Sequence, residues 1–155
     1  MITAGLICAI CGSFVASIFD LQSRIIPNAL SYGMIVLGFA LAAVAPETAV
    51  EILTGGLICG GVALAAYSLG ALGGGDVKLL FGVGLLVGSQ SAWGVLLWAY
   101  AFACLGFIGF ALYALIRSTR IHKGPGVDLS GLPLAPAILI ACIAEPILPA
   151  FSRVM

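Results

Sequence analysis

The run Leu79-Leu80-Phe81-Gly82-Val83-Gly84-Leu85-Leu86-Val87-Gly88-Ser89-Gln90-Ser91-Ala92, which continues without a charged residue to Ile116, decides the fold. At 1.5 Å per residue, about 20 apolar residues cross a hydrocarbon core, so the stretch is too long for one crossing and right for two. Gly88-Ser89-Gln90-Ser91 is its only turn-like break, which predicts one helix from about Gly74 to Gly88 and another from about Ala92 to Ile116. Ile2 to Phe19, Ala29 to Ala45 and Val50 to Leu69 precede them, and a last segment runs from about Leu132 to Leu148. Pro46, with Glu47 and Glu51, closes the second segment, while Pro133, Pro136 and Pro146 bend the last or loosen its ends. The expected fold is all-α: a polytopic integral membrane protein of about six transmembrane helices, one domain over residues 1–155.

Composition sets the same bounds. With 63% hydrophobic residues, 8% charged residues and a mean hydropathy of +1.26, the chain cannot surround a soluble core with a charged surface. The lipid bilayer is therefore an expected partner. A net charge of zero and the lack of any Lys/Arg tract exclude nucleic-acid binding. Cys8, Cys11, Cys59, Cys104 and Cys142 all lie in apolar stretches, where cysteine acts as a small hydrophobe. Cys8 and Cys11 form a C-x-x-C, but no second pair follows to complete a structural zinc site, and no metal is expected. Ile2 to Phe19 lacks the basic start of a secretory signal and reads as a permanent helix.

Six crossings put the loops after helices one, three and five on one face. Those loops carry Arg24, Lys78, Arg117, Arg120 and Lys123, against Arg153, Glu47 and Glu51 on the other face. The positive-inside rule makes the first face cytoplasmic and places both termini outside. The loop holding Arg117, Arg120, Lys123 and the single histidine, His122, reads as a headgroup-facing cluster that fixes orientation.

Two polar islands interrupt the apolar chain: Asp20-Leu21-Gln22-Ser23-Arg24-Ile25-Ile26-Pro27-Asn28 and Gly73-Gly74-Gly75-Asp76-Val77-Lys78. Each places one aspartate at the same, cytoplasmic, membrane edge. A carboxylate is expensive to keep there, which points to a functional pair. Two carboxyl groups held close share a proton. One can then take a proton from water while the other polarises a scissile carbonyl, the division of labour that peptide hydrolysis requires. Gly73, Gly74 and Gly75 permit unusual backbone angles and let a substrate strand approach the main chain. Pro27 and Asn28 restrict the backbone and offer amide hydrogen bonds near the start of the second helix. Each residue also has a plainer reading: Asp76 caps a helix, Asp20 pairs with Arg24 four residues on, and Lys78 anchors at the interface.

Other hydrolytic chemistries lack their parts. Gly75 is followed by Asp76, and Lys78 by Leu79, so the glycine run is not a P-loop. His122 is the only histidine, which excludes an H-E-x-x-H metalloprotease, and its loop position deprives a serine or cysteine nucleophile of a base. Among intramembrane mechanisms, the two-carboxylate one is complete. A proton- or ion-coupled transporter with carboxylates at helix breaks is the rival class, although neither a midplane carboxylate nor an internal repeat is present. A noncatalytic assembly subunit of a pilus or secretion machine is the third reading.

Asp20 and Arg24 with Ile26-Pro27-Asn28, followed by Gly73-x-Gly75-Asp76-x-Lys78, resemble the type IV prepilin peptidases. These belong to the GxGD group of intramembrane aspartyl proteases, with the archaeal preflagellin peptidases and, more distantly, presenilin and signal peptide peptidase. Leu132-Pro133-Leu134-Ala135-Pro136 is similar to the proline-flanked motif before that family's last helix. The resemblance implies that Asp20 and Asp76 form a catalytic dyad. It also implies that Arg24, Pro27, Asn28, Gly73, Gly74, Gly75, Lys78, Pro133 and Pro136 bind substrate or shape the site, and that no cofactor takes part. The implied substrate is a prepilin or pseudopilin precursor, cleaved just before its hydrophobic helix at the cytoplasmic face of a prokaryotic cytoplasmic membrane. Longer members insert a cytoplasmic domain with two C-x-x-C pairs, associated with N-methylation, between the first two helices. This chain has no such insert, resembles the short form found with tight-adherence (Flp) pili, and is expected to be a peptidase alone.

Overall fold

A computed structural model describes residues 2–23, 26–70, 72–118 and 135–147. Among the described residues the regular structure is entirely helical: α1 Ile2–Ser23, α2 Asn28–Val44, α3 Pro46–Ser68, α4 Gly74–Ser118 and α5 Ala135–Ile147. The element α4 contains the decisive break. Gly88 has φ 76° and ψ 172°, which no helix accommodates and which disfavours any residue with a Cβ. Cys59 shows what the break does: it lies against Gly84 and Ala92, each four residues from Gly88. The two limbs, 74–87 and 89–118, are therefore folded back beside one another. The turn is shorter than the four residues expected, because Ser89, Gln90 and Ser91 are already helical.

Element ends follow local chemistry more than the edges of apolar runs. Pro27 fixes its own φ at −59°, and its carbonyl accepts from the Leu30 and Ser31 N–H groups at 3.1 and 3.4 Å, so α2 starts at Asn28. Pro46 closes α2, as expected, and also opens α3 four residues before the expected start at Val50. Its missing N–H is harmless at a first helical position, and Glu47 in the first turn suits the helix dipole. At the far end Gly70 (φ 74°) stops α3, its N–H donating to the Tyr67 carbonyl at 2.9 Å. Gly70 is a turn residue with open space at its Cβ position.

The packing is that of a membrane bundle. Helices α1 and α3 bury small or polar residues, as at Ala9, Ser13, Ala16, Cys59 and Ala63, against larger α4 side chains such as Leu79, Leu80 and Leu85, while Phe14, Leu21, Val36, Leu57, Leu105 and Ile108 point outward. Water would penalise such a surface, whereas lipid rewards it, and helices then associate through close backbone approach. Among the described residues, Ala4–Gln22, Pro46–Ser68 and Gly74–Leu105, the last divided at Gly88, are long and apolar enough to cross a membrane, and α2 is a shorter apolar helix. The chain is a polytopic membrane protein. Its centre is α4, which packs against every other helix and most extensively against α3, while α1 also packs on α5.

Candidate active site

Asp20 lies in the last turn of α1, not in a loop beyond it, because α1 continues through Ser23 after its apolar run ends at Phe19. Its side chain is buried, at 8% exposure, on the face that also buries Ser13 and Ser17. Ser17 donates to the Ser13 carbonyl at 2.7 Å, one turn back. A polar stripe thus runs along the inner face of α1 up to the carboxyl group. Its signal, Ser13, Ser17 and Asp20 at helical spacing inside an apolar run, is present in the sequence and was not among the expectations.

Asp76 lies in the first turn of α4, half-buried. Its Oδ2 accepts a hydrogen bond from the Gly73 N–H at 3.3 Å, while its own N–H donates to the Gly73 carbonyl at 3.1 Å. This is one half of a capping box, the other half being a main-chain turn bond because Gly73 has no side chain, so the plainer reading of Asp76 as a helix cap does describe one of its contacts. A Cβ on Gly73 would lie 3.2 Å from Oδ2, tight enough to disturb that bond. The expectation of unusual backbone angles at Gly73, Gly74 and Gly75 is corrected: positive φ occurs at Gly70 and Gly88 instead. Gly73 and Gly74 are exposed, and their main chain can be reached from outside.

The two islands meet. Asp20 and Asp76 lie within range of each other's charge, although 56 positions separate them. Ile26, buried at 8% exposure, packs beside Gly75, where a Cβ would sit 3.5 Å from that of Ile26. Lys78 does not simply reach toward an interface. Its Nζ donates to Asn28 Oδ1 at 2.9 Å and lies 5.1 Å from the centre of the Tyr32 ring. This ties the start of α2 to the start of α4, with Pro27 beside it at the α2 cap. Pro136 stands in the first turn of α5, which packs on α1 and α4. Arg24, Pro133, Arg120, His122 and Lys123 lie outside the described residues. Among the described residues, no three His, Cys, Asp or Glu side chains gather where they could hold a metal ion.

A membrane-embedded helical bundle with two acidic side chains meeting at converging helix ends is a setting for hydrolysis within the bilayer. The model of the type IV leader peptidase family matches residues 7–122, three quarters of the chain, including both aspartates and Lys78. The chain belongs to that family and is a peptidase. No curated protein and no solved structure matches it.

Proposed function

We propose that the chain is an aspartic endopeptidase that removes the leader from prepilin or pseudopilin precursors, within a single transmembrane domain and with Asp20 and Asp76 as its dyad. The observation that carries this reading is the convergence of Asp20 and Asp76 from distant parts of the sequence. Water placed between the two carboxyl groups gives up a proton to the ionised one and attacks the peptide carbon. The protonated partner supplies a hydrogen to the carbonyl oxygen, and the tetrahedral intermediate collapses as the leaving nitrogen takes up a proton.

The excess of basic residues in the same loops supports a cytoplasmic cleavage face in a prokaryotic cytoplasmic membrane, with both termini outside. Residues 24–27 alone join α1 to α2, which supports the short, tight-adherence type with peptidase activity and no methyl transfer. Membership of a peptidase family leaves the transporter reading without support. Coexpression with a prepilin and mass analysis of the product is the direct test. The expected product has lost its leader just before the hydrophobic segment, whereas an intact precursor beside correctly folded protein would favour the noncatalytic subunit. Orientation has its own check in a variant without native cysteines: Ser23→Cys and Gly74→Cys are expected to react with an impermeant thiol reagent from the cytoplasmic side. Labelling of both from the outer side alone would reverse the topology and contradict the proposed geometry.

A further inference from the structure

Three buried side-chain oxygens have no hydrogen-bond partner among the described residues: those of Ser13, Ser31 and Tyr100. A serine hydroxyl in a helix can rotate onto the carbonyl one turn back, as Ser17 does. A phenol cannot, because its ring holds the oxygen far from its own backbone. Tyr100 therefore needs a partner from elsewhere. Phenylalanine would fill the same space without burying an unpaired donor, so packing does not account for the hydroxyl.

Its place in the fold suggests what the hydroxyl is for. The reversal at Gly88 sets the second limb of α4 alongside the first, and Tyr100 and Asp76 each stand twelve residues from that glycine. The phenol accordingly lies within range of the Asp76 charge, with Cys59 of α3 also nearby. Ala92, Val95, Leu96 and Ala99 are buried and fix this limb against the core, and Tyr100 packs partly against the same cluster. A neutral donor whose oxygen is buried, within range of a reacting carboxyl group, is suited to stabilising negative charge as it develops on an oxygen.

We propose that Tyr100 is a third polar group of the cleavage site, its phenol donating a hydrogen bond to the scissile carbonyl oxygen as that oxygen gains charge. The proposal rests on the peptidase reading above and adds a residue to it. Tyr100→Phe in the full-length, detergent-purified protein tests it against the prepilin of the coexpression assay. The expected result is a kcat lower by tenfold or more, a KM within about twofold of wild type, and a melting temperature equal or higher, because an unpaired buried hydroxyl has been removed. A merely structural hydroxyl would give the opposite thermal result. A kcat within twofold of wild type overturns the proposal, and so does a lower melting temperature, which would reveal a structural partner whether or not cleavage is measured. The two readings fail separately: wild-type protein that leaves the precursor intact counts against the peptidase assignment, whereas wild type and Tyr100→Phe cleaving equally fast counts against Tyr100 alone.

Discussion

Asp20→Asn and Asp76→Asn are each expected to reduce leader cleavage by at least about 10³-fold, because each removes one half of an acid–base pair whose members commonly contribute 10² to 10⁴ apiece. Asparagine is the informative replacement at both positions. At Asp76 its carbonyl oxygen can still accept from the Gly73 N–H, which the wild-type Oδ2 accepts at 3.3 Å, so the cap of α4 survives while the chemistry does not. Alanine would lose both, and its effect could be assigned to neither. At Asp20 the amide has the shape of the carboxyl group it replaces and keeps one acceptor oxygen at a position of 8% exposure, so the fold is expected to persist. Purified variants should thus remain folded beside near-complete loss of turnover. Turnover above about 1% of wild type by either folded variant would remove that aspartate from the dyad, since a surviving rate of that size is more than one missing acid–base partner allows.

The helices were legible wherever hydrophobicity and breakers coincided. The uncharged run from Leu79 to Ile116 could only be two crossings, and Gly88, with φ 76°, is where they divide. Helix ends were less legible, because an apolar run measures depth in lipid and not hydrogen bonding. Hence α1 carries on through Asp20 to Ser23, and α3 begins at Pro46 while still in polar sequence. The aspartates stood out as isolated charges, but their meeting depends on the whole bundle. The Lys78 to Asn28 bond spans 50 positions and has no local signature. Tyr100 was invisible for a related reason: among Trp98, Ala99 and Phe102 it reads as another lipid-facing aromatic, and only the reversal at Gly88 brings it back toward Asp76. The glycines before Asp76 show the opposite error. Their number suggested special backbone angles, whereas the structure uses Gly73 to leave room for a carboxyl group and places the left-handed conformations elsewhere.

The crossing of α3 and α4 is expected to tolerate a side chain least. A Cβ on Gly55 would lie 2.5 Å from the Gly84 carbonyl oxygen and 2.5 Å from the Gly88 carbonyl carbon; one on Gly84 would lie 2.5 Å from the Gly55 carbonyl oxygen. These obstacles are backbone atoms and cannot rotate aside, so the helices must separate. Gly55→Ala and Gly84→Ala should each destabilise the fold by about 2 kcal/mol, within the range seen when close-packed cores are overfilled. Gly61 lies on the same helix as Gly55 with nothing within 4 Å of its Cβ position, so Gly61→Ala should be neutral or slightly stabilising through helix propensity. Thermal unfolding in detergent of the three variants separates a packing effect from a general aversion to alanine. Gly55→Ala and Gly61→Ala melting together would refute the close crossing. The double variant carries the argument further: once one methyl group has parted the helices, the second finds room already made. Gly55→Ala with Gly84→Ala is therefore expected to cost clearly less than the sum of the single changes. Cleavage should fall with the first substitution, because the limb that separates from α3 carries Asp76 at its start, and a displacement of about 1 Å at a reacting group can cost 10²-fold in rate.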